Sequence, residues 1–95
     1  MKKEVYLTIL YDYYESLLKE EDKNYFKDYY FSNLSLSEIA ENNNISRNAI
    51  HKRIKKVEEL LNDYESRLGL CRKEGEILSL VDGDKREQIK KILNS

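Results

Sequence analysis

LSLSEIAENNNISRNAIHKRIKK, residues 34–56, is the stretch that decides the fold. It contains two helix starts, one tight turn and two apolar faces that can meet. Ser35-Leu36-Ser37-Glu38 reads as a capping box, in which the Ser35 hydroxyl accepts from the Glu38 amide and the Glu38 carboxylate reaches back. Leu36, Ile39 and Ala40 then share one face of a short helix. Asn42-Asn43-Asn44 ends that helix, since asparagine tolerates the left-handed backbone a tight turn requires. Ser46 caps the next helix. A helix-turn-helix needs a small residue where its helices cross, an apolar plug in the turn and inward residues on the second helix. Ala40, Ile45 and the set Ala49, Ile50 and Ile54 are expected in those places, which puts the motif at about residues 35–57.

Working outward, the second helix is long. Ile50, Ile54, Val57, Leu61, Tyr64 and Leu68 repeat at 4-3-4-3-4 spacing, an apolar seam of coiled-coil type. That seam is either the packing face for the N-terminal helices or partly the seam of a dimer. Gly69 ends the helix, with Leu70 expected to close over its last turn as in a Schellman cap. Upstream, Val5 to Leu18 predicts a first helix, with Leu7, Leu10, Tyr14 and Leu17 in its stripe and Tyr6, Tyr13 and Leu18 widening it. The run Lys19 to Lys23 places acids where a second helix begins, a site its dipole favours. That helix reaches about Phe31 and turns Tyr25, Phe26, Tyr29 and Tyr30 wholly or partly inward. Its tyrosines are expected in core and interface rather than on a base-stacking platform. Downstream, a fifth helix over about 71–81 carries Ile77, Leu78 and Val81. After Asp82-Gly83 a sixth carries Ile89, Ile92 and Leu93, with Asp84 and Glu87 expected as its cap and capping-box pair. The chain has no proline and three glycines, so forced breaks are few. The fold expected is all-α, with a helical core over 1–69 containing the helix-turn-helix and a C-terminal extension of the same domain over 70–95.

Charge is distributed unevenly. The chain of 95 residues carries 17 basic and 18 acidic side chains, a formal net charge of −1. Residues 46–57 hold Arg47, Lys52, Arg53, Lys55 and Lys56 and no acid. The flanking segments are both net acidic, so the basic charge lies on one helix. At 100° per residue, with Ile50 centred on the buried side, Asn48, His51, Lys52 and Lys55 fall opposite. Arg47, Arg53 and Lys56 fall on the flanks. Early residues of a second helix approach base edges in a major groove. Asn48, His51 and Lys52 are therefore expected to face bases, and Arg47, Arg53, Lys55 and Lys56 to contact phosphate.

Other chemistries find little support. His51 and Cys71 lie 20 residues apart with no orienting partner, and there is no phosphate-cradling glycine loop or metal-ligand cluster. Neither a metal, a cofactor nor a catalytic role is expected, and Asp82-Gly83-Asp84 lacks the ligand pattern of a calcium loop. A single cysteine fits a reducing, cytoplasmic setting. MKKEVYLTIL reads as the start of an amphipathic helix rather than a signal peptide, and no apolar run is long enough to span a membrane. Five basic residues in a chain of net charge −1 form a small phosphate-neutralising set, so a homodimer is expected to double it.

The run Leu18 to Leu68 resembles region four of bacterial sigma factors, with SEIAENNNISRNAIHKRI close to that fold's EIA…ISR…V pattern. Over nearly its whole length the chain is similar to the YlxM family, through its size, its Tyr-rich start, LSLSEIAENNNISR and NDYESRLGL. The match is strongest over 34–70 and weakest after 75. The resemblance implies a helical bundle with a sigma-region-four-like helix-turn-helix and no catalytic residues. It implies DNA binding and a regulatory part, or an accessory part in the signal recognition particle pathway, docking that particle's GTPase or RNA. The sequence departs from the commonest motif at Asn44, where glycine is usual.

Overall fold

A computed structural model describes residues 1–94. The protein is an all-α bundle, and among the described residues there is no strand. The elements are α1 (Lys3–Tyr14), a 3-10 turn (Glu15–Leu17), α2 (Glu20–Tyr30), α3 (Leu36–Asn43), α4 (Arg47–Leu68), α5 (Leu70–Ser79) and α6 (Gly83–Leu93). The molecule is elongated, 49 × 24 × 24 Å, and α4, at 22 residues, is its longest helix.

α4 is the spine, and two core clusters hang on it. One gathers Tyr25 of α2, Ile39 and Ala40 of α3, and Ile50 and Ile54 of α4. The other gathers Leu7, Leu10, Tyr11 and Tyr14 of α1 with Leu18, Phe26, Val57 and Leu61. The apolar seam from Ile50 to Leu61 is thus filled within the chain. Each large aliphatic side chain removed from water there contributes about 1.5–3 kcal/mol. An aromatic stack knits α1 to α2, Tyr11 on Phe26 at 4.8 Å between centroids, and Phe26 in turn stacks on Tyr30 within α2 at 4.4 Å. Tyrosines in the core match the sequence expectation, save Tyr29, which stays exposed at the end of α2.

Several local expectations are corrected. The first helix ends at Tyr14 and tightens into a 3-10 turn, which rotates the register. Leu17 is therefore 52% exposed, while Leu18 is buried as expected. Ile45 is not the buried plug of the turn. It is 36% exposed and belongs to neither core cluster, since Ala40, Ile50 and Ile54 already close the crossing. Leu70 does not close a Schellman cap. Gly69 caps α4 alone, its amide bonding the Glu65 carbonyl at 2.8 Å, while Leu70 starts α5 at once and remains exposed. Leu68, at the end of the expected seam, is also exposed.

α5 spans Leu70–Ser79 rather than 71–81. It buries Leu78 and exposes Ile77, a consequence of packing one edge against α1. Asp84 and Glu87 form no capping box. α6 begins two residues earlier, at Gly83, with Asp82 in the cap position and no side-chain bond from it. Ile89 is half-buried, whereas Leu93 is exposed. Ser95, the last residue of the expected 70–95 extension, lies outside the described residues.

Candidate nucleic-acid interface

The turn before α4 sets the site. Ser35 and Glu38 make the reciprocal capping box, at 3.1 and 3.0 Å. These bonds hold the Glu38 carboxyl below its ordinary pKa. α3 ends in a Schellman motif on Asn44, whose φ is 56°. The Ile45 amide bonds the Ala40 carbonyl at 3.2 Å, and the Asn44 amide bonds that of Glu41 at 3.4 Å. The missing glycine is replaced by the residue that best tolerates this backbone. Ser46 then accepts from the Ala49 amide at 3.1 Å and opens α4. Ala40, buried, lets α3 approach α4 closely.

These contacts turn Arg47, Asn48, His51, Lys52, Lys55 and Lys56 outward, all exposed. α4 has no acid in its first turn, unlike α2, which has three. The positive end of its dipole is therefore uncompensated from within the helix. Arg47, Lys52 and Lys56 make no ion pair among the described residues.

Arg53 is placed differently. Its guanidinium turns to α2, where it meets Glu21 at 3.2 Å and Asp22 at 3.6 Å and lies 6.0 Å from the centre of the Tyr25 ring. It holds the bundle rather than standing free with Lys52. Lys55 lies 3.9 Å from Glu58 on its own helix.

One flank of α4 opens into a cleft of about 200 Å³ that its motif does not reveal. His51, Lys55 and Glu58 line it from α4, Tyr29 and Tyr30 from α2, and Lys3 from α1. Leu36 and Ile54 add apolar wall, and Glu4 also borders it. Glu58 is 8% exposed, so its carboxylate is a buried charge on a helix otherwise read as basic. Tyr30 donates its hydroxyl to Glu58 Oε2, and burial with this bond pushes the Tyr30 phenol pKa well up. Lys3 Nζ is 3.7 Å from Glu58 Oε1. The signal in sequence was faint: a glutamate directly after Val57 at the edge of the seam, and a tyrosine pair closing α2. Among the described residues no cluster of His, Cys, Asp or Glu could hold a metal, and no helix is long and apolar enough to cross a membrane.

Two capped helices crossing at an alanine, around a left-handed asparagine, define a helix-turn-helix protein. A family model described as "Putative helix-turn-helix protein, YlxM / p13 like" matches residues 1–94, and the chain belongs to that family, UPF0122. It is 42% identical over 84 residues to the UPF0122 protein of Desulforamulus reducens, covering 81% of this chain and 72% of the relative. It is 40% identical over 90 residues to that of Fusobacterium nucleatum, covering 90% and 87%. For Geobacillus kaustophilus the identity is 41% over 73 residues, covering 77% and 66%.

Proposed function

We propose that this protein is a cytoplasmic, non-enzymatic regulator that lays the exposed face of α4 against nucleic acid and works as a homodimer. One observation carries the reading. The N-terminal half of α4 presents Arg47, Asn48, His51 and Lys52 to solvent, with no acid in its first turn. Such a helix end attracts phosphate, and its polar side chains fit base edges. Asn48, His51 and Lys52 take the base-facing role, and Arg47, Lys55 and Lys56 the phosphate role. Arg53, tied to α2, contributes positive field more than contact.

A dimer is favoured by the exposed apolar residues Leu70, Ile77 and Leu80 on α5 and at its C-terminal end. Exposed apolar patches of this kind mark interaction sites. The protein's small set of free cations favours the second partner the resemblance offers, the signal recognition particle's RNA or GTPase, where protein contacts add to charge.

Salt dependence tests the reading. Each neutralised phosphate adds about 0.9 to the slope of log affinity against log salt for duplex DNA. Arg47→Ala with Lys52→Ala should lower that slope by about 1, through the phosphate contact of Arg47, and weaken binding further through the lost base contact of Lys52. An unchanged slope would sink the role of α4. Capture of the tagged protein from lysate, with and without nuclease, separates the partners: enriched chromosomal sites support a transcriptional regulator, and the particle's RNA or GTPase supports the accessory role.

A further inference from the structure

We propose that the cleft beside α4 is a pocket for one unpaired guanine base, with Glu58 reading its Watson–Crick edge and Tyr29 stacking on its face. This rests on the nucleic-acid reading of α4 and adds to it a site that the helix-turn-helix motif does not contain.

Position comes first. His51 and Lys55 belong both to the outward face of α4 and to the cleft wall, so a strand following that face runs directly to the opening. A volume of about 200 Å³ is smaller than the ~300–1,000 Å³ of drug-sized sites, and suits a single planar heterocycle.

Chemistry selects the base. A buried carboxylate repels phosphate and takes donors. Glu58 Oε2 accepts from Tyr30, but among the described residues Oε1 faces only two ammonium groups, at 3.7 Å and 3.9 Å. Both distances lie beyond hydrogen-bond range, so Oε1 keeps its acceptor capacity and Oε2 keeps one lone pair. Guanine alone among the common bases presents two adjacent donors on its pairing edge, N1–H and N2–H, which match a carboxylate's two oxygens. Adenine and cytosine would set a ring nitrogen lone pair against Glu58, and uracil or thymine offers one N–H between two carbonyls.

The rest of the cleft fits that ligand. Tyr29 is exposed at the cleft, its ring perpendicular to that of Tyr30 at 5.1 Å and 87°, so a base entering the cleft can stack on it. Lys3 and Lys55 are more than half exposed and held only by long contacts to Glu58. They can turn to the phosphates on either side of the base once its donors occupy the carboxylate. Enzymes that extrude bases use the same combination of aromatic stacking and edge recognition.

The test uses fluorescently labelled hairpins with one bulged base, made in parallel as DNA and as RNA, against the fully paired hairpin. Anisotropy at low salt should show bulged guanine bound about tenfold more tightly than bulged adenine. Inosine, which keeps N1–H and lacks the N2 amine, should fall between them. Glu58→Gln preserves an acceptor for Tyr30 and should erase the preference for guanine over adenine while the protein stays folded and still binds the paired hairpin. Tyr29→Ala, at an exposed ring, should weaken bulged guanine about tenfold and keep the paired hairpin as it was. A preference confined to RNA or to DNA names the source of the base. Equal binding of every hairpin would overturn the pocket and leave the helix-turn-helix reading standing. No binding of any hairpin would overturn both.

Discussion

The Tyr14 hydroxyl donates to the Glu65 carboxylate, joining the end of α1 to the end of α4 across 51 positions of sequence. The same hydroxyl accepts from the Leu70 amide at 3.0 Å, and Glu65 accepts from the amides of Cys71 and Arg72, both at 3.1 Å. Leu70 to Arg72 form the first turn of α5, which directly follows the left-handed Gly69 and has no side-chain cap from its own N-cap residue. Two residues from preceding helices thus supply the acceptors that a helix start otherwise lacks.

Glu65→Ala should therefore loosen α5 before the rest of the protein. Three amides lose an acceptor or the group that orients it, at a stability loss of about 1–3 kcal/mol. Hydrogen exchange should show lost protection over Leu70–Ser79 while Ile50 to Val57 remain protected. Unchanged exchange in α5 would mean that water caps it equally well.

Alkaline titration offers a second check. Burial first, and then the bond to Glu65, raise the Tyr14 phenol from 10.0 to about 12, opposed in part by the Leu70 amide. Below pH 10 both folded and unfolded chains keep this proton. Between 10 and 12 the unfolded chain releases it first, so stability falls as pH rises through that window. Tyr14→Phe should flatten the decline in melting temperature without removing it, since burial also raises Tyr11 and Tyr25. An identical decline in the variant would assign it to other groups.

Ala40→Leu probes the helix crossing. Ala40 is buried among Tyr25, Ile39, Ile50 and Ile54. Three added carbons have no space there, and overpacking should destabilise by about 1–3 kcal/mol in a urea titration. A neutral outcome would place the crossing elsewhere along α3.

The motif was legible because its signals are local. Ser35 with Glu38, the asparagine triplet and Ser46 each act within four residues, and each lies where the sequence places it. The seam from Ile50 to Leu61 follows from periodicity alone. Errors arose where long-range contacts overrode local pattern. A heptad rhythm puts Leu17 inward, but the helix tightens at Tyr14 and Leu18 takes the place. Gly69-Leu70 has the composition of a Schellman cap, but Tyr14 captures the Leu70 amide. The cleft left only a faint trace in the sequence, because Lys3, Tyr29 and Glu58 come from three helices and no spacing rule brings them together.

The homodimer reading predicts its own weak point. Leu80 is 83% exposed, and Leu70 and Ile77, one heptad apart, share a face of α5. Sedimentation at rising concentration should approach twice the chain mass of 11.4 kDa. Ile77→Glu with Leu80→Glu should restore the monomer without unfolding it, because neither side chain is buried in the chain. A wild-type protein that stays monomeric at the highest concentration would refute the dimer.

Arg53 and Lys52 are neighbours in sequence with opposite expected behaviour. Arg53 bonds Glu21 at 3.2 Å, lies near Asp22 and covers Tyr25, while Lys52 makes no ion pair among the described residues. Arg53→Ala removes a contact between α2 and α4 whose charges are partly screened by water, so its stability loss should stay near ~1 kcal/mol. Its effect on nucleic-acid affinity should be small, with the salt slope nearly unchanged. Lys52→Ala should leave stability within about 0.5 kcal/mol and change base preference or affinity instead. Paired measurements of melting temperature and salt-dependent affinity on the two variants separate a residue that holds the bundle from one that meets the ligand. If Arg53→Ala lowers the salt slope as Arg47→Ala with Lys52→Ala is expected to, then nucleic acid draws the guanidinium away from α2, and the interface reaches further around α4 than the free protein shows.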